Sequence, residues 1–142
     1  MIRAGPARPS LFVDTSAIFA LFNERDPNHA LAHVTVQRAY RERSALITTN
    51  FVVAEAHALM LARRGRARAA GLLDAVTRGP STVVVRASED DEDAARAFIY
   101  DYDDKDFSLT DAISFAVMRR LGIVTAFTFD RDFARFGFAS VP

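Results

Sequence analysis

A chain of 142 residues with no cysteine is long enough for one domain with a sizeable core, and it excludes disulfides and thiolate metal sites. Eighteen basic residues balance 18 acidic ones, so net charge gives no global attraction to nucleic acid and any such partner must be held by local patches. No apolar run is long enough for a bilayer and MIRAGPARPS lacks the apolar core of a signal peptide, which points to a cytoplasmic protein with no membrane partner.

Residues 1–10 read as a flexible N-terminal lead and 11–142 as a single domain. LFVD (11–14), between Pro9 and Thr15-Ser16, predicts a buried strand leading into a helix over 17–22. Asp26-Pro27 has the form of a cap followed by proline at the first helical position, which predicts a helix over 26–43. A second strand follows at 45–48. Thr49 or Asn50 then caps a helix through Arg64, Gly65 breaks it, and another helix covers 67–77. STVVV (81–85), rich in β-branched residues, is the third strand, and Ser88 caps an acidic-headed helix reaching about Tyr100. After the polar DYDDKD (101–106), Ser108 opens a helix that Gly122 closes. VTAFTF (124–129) is the fourth strand, 130–136 a helical turn and FASV (138–141) a fifth strand. Strands alternating with amphipathic helices define an α/β fold with a mainly parallel sheet of about five strands covered on both faces, and such sheets gather ligands at their carboxyl edge.

Four acids map to that edge. Asp14 ends the first strand and Asp130 directly follows the fourth. Helices that run antiparallel to the strands start there, and Glu55 and Asp111 lie in the first turns of two of them. Each has a plain alternative. Asp14 and Asp130 can cap the turns that follow them, Asp111 can complete a capping box in Ser108-x-x-Asp111, and Glu55 can be a solvated helical acid. Together, however, four unpaired carboxylates repel one another and raise each other's pKa unless a cation compensates. An all-carboxylate, water-accessible site suits a hard ion, Mg²⁺ or Mn²⁺, whose task would be to polarise phosphate oxygens and activate water.

FVDTSAIFALF around Asp14, TTNFVVAEAHAL around Glu55, SLTDAISFAVM around Asp111 and TFDRDF around Asp130 together resemble the PIN domain, and more narrowly VapC-type ribonuclease toxins, over about 11–138. The resemblance implies a three-layer α/β/α sandwich, Mg²⁺- or Mn²⁺-dependent hydrolysis of RNA phosphodiesters, frequent homodimerisation and inhibition by a small cognate antitoxin. It matches Asp14, Glu55, Asp111 and Asp130 to the family's acidic quartet and Ser16 to a small polar position beside the first acid. Asp14 and Asp111 are then the principal metal ligands, with Glu55 and Asp130 completing the site or holding waters. Asp132 competes with Asp130 for the fourth place; Asp130 is preferred because it leaves the strand directly. Other readings are a stand-alone nuclease outside a toxin pair, a catalytically idle binding module and a phosphoacceptor signalling domain. The last lacks an acid pair at the end of the first strand, and Lys105, the only lysine, precedes a helix.

The remaining polar features read as structural. His29 and His33 share a helical spacing without a third ligand and read as surface residues, and His57 as a packing residue. SEDDED (88–93) reads as a solvated helix cap. The arginines of ARRGRARA (62–69) have three readings: RNA phosphates, an acidic partner surface, or a plain exposed face. Apolar surplus on the helices over 26–43 and 50–77 points to a dimer.

Overall fold

Short runs of β-branched and aromatic residues form the strands of a computed structural model that describes residues 8–142. The elements in chain order are β1 (Ser10–Val13), α1 (Thr15–Phe22), α2 (His29–Arg41), β2 (Ala45–Thr49), α3 (Asn50–Arg64) and α4 (Arg66–Arg78), then β3 (Thr82–Val85), α5 (Glu89–Asp101), α6 (Leu109–Leu121), β4 (Thr125–Phe127), α7 (Asp132–Phe136) and β5 (Ala139–Val141). All four strand pairings are parallel, in the order β3-β2-β1-β4-β5. Winding proceeds outward from β1 in both directions, so the strand order reverses between β1 and β4, and a crevice opens there at the carboxyl ends. The expected α/β/α sandwich with a five-stranded sheet is the fold observed.

Phe12 of β1 and Phe127 of β4 are fully buried, as are Phe115, Ile113, Val117 and Met118 of α6. Eight consecutive residues of α6, Asp111 to Met118, are buried. A helix apolar on all sides belongs in an interior, and α6 lies there, packed against α3, α5 and α7. Its Phe115 stacks on Phe136 at 4.3 Å between ring centroids and meets Phe133 and Phe107 edge-on at 5.0 and 5.1 Å. This aromatic cluster fastens α6 to the C-terminal segment. Gly122 ends α6 in the left-handed region at φ 69°, where a side chain would be strained.

Some boundaries depart from the sequence-based expectation for a common reason. Asp26 does not cap α2: its Oδ1 accepts the Asn28 N–H at 2.8 Å, closing a local turn, and α2 starts only at His29. Asp130 does the same to the Asp132 N–H at 2.9 Å, which delays α7 to Asp132. At the starts of α3, α5 and α6 the side-chain caps behave as expected, with Thr49 Oγ1 accepting the Val52 N–H at 3.2 Å. The acidic start of α5 is not simply solvated. Asp91 is 3 % exposed, completes a capping box with Ser88, and takes both forks of the Arg120 guanidinium from α6 at 2.9 and 2.8 Å.

Residues 1–7 of the expected lead lie outside the described residues, whereas Ser10 already belongs to β1 and the Pro9 carbonyl accepts the Ala45 N–H at 2.7 Å. No helix among the described residues is long and apolar enough to cross a membrane.

Candidate active site

Asp14 leaves β1 in extended conformation and starts α1 through its carbonyl, which accepts the Ala17 and Ile18 N–H groups at 3.1 and 3.0 Å. Its side chain makes no capping bond. Instead Oδ2 accepts the hydroxyls of Thr128, at 2.8 Å, and Ser16, at 3.0 Å. Asp14 is 2 % exposed, and burial pushes its pKa up against the pull of those two hydroxyls and the Thr15 N–H, with Asp130 adding a smaller upward push.

Asp111 lies in the first turn of α6. Ser108 caps this helix by accepting the Asp111 N–H at 3.1 Å, but the carboxylate does not return the bond to the Ser108 backbone that would complete a capping box. It is therefore free to serve elsewhere. Burial, then repulsion from Asp14 and from Asp130, pushes its pKa up to about 7, with Glu55 adding to the rise and the Ser108 hydroxyl opposing it. An acid pushed up toward neutrality by burial and by other carboxylates marks a place that lacks positive charge.

Asp130 follows β4 and is exposed; its N–H donates to Thr128 Oγ1 at 2.9 Å. Its turn-closing role and its place beside the other acids are compatible, since one carboxylate has two oxygens. Asp132 completes a trio: one carboxylate oxygen each from Asp111, Asp130 and Asp132 lie within 4.8 Å of one another. Burial and then Asp130 raise the Asp132 pKa, against Arg135, whose guanidinium stands 3.5 Å away. Glu55, exposed on α3, falls outside that trio but near enough to act on Asp111. All four expected acids thus reach one sheet edge, and Asp132 joins Asp130 there rather than replacing it. Among the described residues, the Asp132–Arg135 contact is the only ion pair these five acids make.

The other candidates stand apart. The His29 ring nitrogen Nδ1 is hydrogen-bonded to the Ala20 carbonyl at 2.7 Å, and its ring meets His33 edge-on at 4.6 Å, with no acid grouped beside them among the described residues. Of the arginines in ARRGRARA, Arg64 and Arg68 bind Glu24 at 3.2 and 2.5 Å, and Arg64 also bonds Asn23. Glu24 is held near a pKa of about 2, first by Arg68. Only Arg63 and Arg66 of this group are left without an ion pair among the described residues.

Thr128 escaped the reading of the sequence, yet it is 4 % exposed and touches two of the four acids. Its signal was present: a threonine at a strand exit, two residues before an aspartate, has the spacing of a side-chain turn.

A doubly wound α/β protein that gathers carboxylates where its strand order reverses belongs to the class that presents hard-cation chemistry at a sheet edge. The PIN domain profile matches residues 11–139, and the chain belongs to the PIN domain family. It is 36 % identical over 132 residues to the 23S rRNA-specific endonuclease VapC20 of Mycobacterium tuberculosis (strain H37Rv), an alignment covering 92 % of this chain and 97 % of that one. The crystal structure of Mycobacterium tuberculosis VapC20, a Sarcin-Ricin loop cleaving toxin, superposes with a TM-score of 0.83 at 33 % identity, covering 92 % of this chain and 98 % of that one. VapBC2 from Rickettsia felis, solved bound to a DNA fragment from its promoter, shares the fold at a TM-score of 0.70 and 10 % identity, over 93 % and 97 % of the chains.

Proposed function

We propose that this protein is a divalent-cation-dependent endoribonuclease, the toxin of a type II toxin–antitoxin pair, acting in the cytoplasm on RNA. The observation that carries this reading is an uncompensated acid cluster at the switch point of a PIN fold, five carboxylates against one arginine contact. Near-complete alignment with a 23S rRNA endonuclease makes ribosomal RNA the first substrate to test.

The donor set is oxygen only and partly open to solvent, which fits Mg²⁺ or Mn²⁺. Asp14 and Asp111 would be the principal holders, with Asp130, Asp132 and Glu55 completing the site or anchoring its waters. When bound, such an ion stabilises negative charge developing on the phosphate oxygens and lowers the pKa of the attacking water. The chain itself supplies fixed geometry. Thr128 and Ser16 hold Asp14, Ser108 holds the start of α6, and Arg135 stays on Asp132. Asp111, poised at about 7, gives up its proton at little cost when positive charge arrives.

An apolar cavity of about 370 Å³, with none of the five acids in its lining, is walled by Ile18, Leu21, Phe22, Val36, Tyr40 and Val76 among others. It supports a protein partner such as the antitoxin, which would insert an apolar segment. Exposed Leu31, Val34 and Tyr40 on α2, and Leu61 and Leu73 on α3 and α4, support a homodimer.

Incubating purified protein with 23S rRNA and Mg²⁺ or Mn²⁺ tests the activity. Cleavage is expected, and its loss in EDTA and in Asp14→Asn and Asp111→Asn. Cutting that survives both substitutions would reject the assigned site. A small DNA-binding protein encoded next to this gene would support the toxin pair, and its absence would favour a stand-alone nuclease.

A further inference from the structure

We propose that Thr128 is a positioning residue for the cleavage reaction: its hydroxyl locks Asp14 and Asp130 together across the β1–β4 switch and leaves Asp14 one oxygen, Oδ1, with which to bind the cation. The inference rests on the metal-dependent reading of the same site.

The argument is one of proton direction. Thr128 Oγ1 has three neighbours: Asp14 Oδ2 at 2.8 Å, the Asp130 backbone nitrogen at 2.9 Å and Ser16 Oγ at 3.2 Å. A backbone N–H can only donate and an ionised carboxylate can only accept. Thr128 therefore accepts from Asp130, and its single proton goes to the ionised Asp14, the nearer acceptor at 2.8 Å against 3.2 Å to Ser16. Ser16 is under the same constraint, because its oxygen accepts the Phe129 N–H at 2.9 Å while its hydroxyl faces Asp14 Oδ2 at 3.0 Å. Two successive N–H groups at the exit of β4 thus load two hydroxyls, and both hydroxyls turn their protons on one carboxylate oxygen.

Two donors occupy the lone pairs of Oδ2, and the backbone beneath is pinned as well, since the Asp14 N–H donates to the Phe127 carbonyl at 3.0 Å. The carboxylate can neither tilt away from β4 nor rotate freely. For an ion as demanding of octahedral geometry as Mg²⁺, one fixed oxygen is a better ligand than a swinging pair. The same hydroxyl sets the turn that carries Asp130, so ligands from two segments are aligned by one group. Thr128 is buried, so it acts through the acids it bonds.

The test compares Thr128→Val, Thr128→Ala and Thr128→Ser with the parent protein and with Asp14→Asn and Asp111→Asn. Mn²⁺ binding is read by electron paramagnetic resonance, RNA cleavage by kcat and KM, and folding by thermal melting. Valine and alanine are expected to weaken Mn²⁺ binding and lower kcat by roughly 10- to 100-fold, the usual range for groups that orient metal ligands, with KM for RNA unchanged. Serine, which shares alanine's missing methyl but keeps the hydroxyl, is expected to restore both. Parent-like Mn²⁺ binding in valine and alanine, with binding lost in the two aspartate variants, would overturn the role of Thr128 alone. Binding retained in both aspartate variants would overturn the metal site and the proposal with it. Serine behaving as alanine, or folding lost in both hydroxyl-free variants but not in serine, would reduce Thr128 to a structural residue and also overturn it.

Discussion

At the level of single residues, Asp111 is where helix chemistry and site chemistry meet. Ser108 caps α6 by accepting the Asp111 N–H, but the acid does not return a bond to the Ser108 N–H and lies instead in a buried, negatively charged corner. Its raised pKa makes a prediction about the metal-free protein. Between the unfolded value of 3.8 and the folded value of about 7, the folded state binds the extra proton, so stability is lost as pH rises through that window. The loss is on the order of 4 kcal/mol if the full shift is realised. Melting in EDTA is expected to show a midpoint that falls from pH 4 to pH 7, with a shallower fall in Asp111→Asn. A midpoint that instead rises over the same range in the parent and not in the variant would contradict this origin of the shift. Added Mn²⁺ is expected to stabilise more at pH 7.5 than at pH 5.5, because ion and protons compete for the same carboxylates. The acids themselves were legible in the sequence because strand ends and helix starts are local signals. The bond of Thr128 to Asp14 and that of Asp91 to Arg120 were not, because each depends on a partner brought near only by folding.

At the level of elements, α5 and α6 are joined by a bond that the charge pattern concealed. SEDDED looks like a solvated cap, but Asp91 turns inward to Arg120 while still capping its helix. Arg120→Met would leave a buried carboxylate without its partner. Because the Arg120 side chain is 42 % exposed, water replaces part of what is lost, and chemical denaturation is expected to show a cost of about 2 kcal/mol with metal binding preserved. The order of strands and helices was readable throughout, and the errors fell where an Asp can either cap a helix or close a turn. Asp26 and Asp130 both chose the turn, and nothing in the local sequence separates those outcomes. The arginines of ARRGRARA divide in the same way. Arg64 and Arg68 fasten the α3–α4 junction to Glu24, which leaves Arg63 and Arg66, among the described residues, as the two without an ion pair and so the two to test for phosphate contact. Replacing both is expected to flatten the fall of log RNA affinity with log salt by about 0.7 for each phosphate contact removed. An unchanged slope would assign them to an exposed face or to a protein partner.

At the level of the whole molecule, a wholly parallel sheet wound outward from β1 forces the ends of β1 and β4 and the starts of the covering helices to one edge. That topology brings Asp14, Glu55, Asp111 and Asp130 together from segments spread across the chain, and it explains why the fold and the acid set could be inferred jointly. Sedimentation velocity over a range of concentrations is expected to show a dimer, supported by the apolar residues left exposed on α2, α3 and α4; a monomer throughout would remove that support. The central claim is that these carboxylates gather one kind of partner, a hard divalent cation, at the switch point. Anomalous diffraction from crystals grown with Mn²⁺ tests it most directly. The account predicts a peak bounded by Asp14, Asp111 and the Asp130–Asp132 turn, absent in Asp111→Asn; a well-occupied Mn²⁺ peak elsewhere with this corner empty would contradict it.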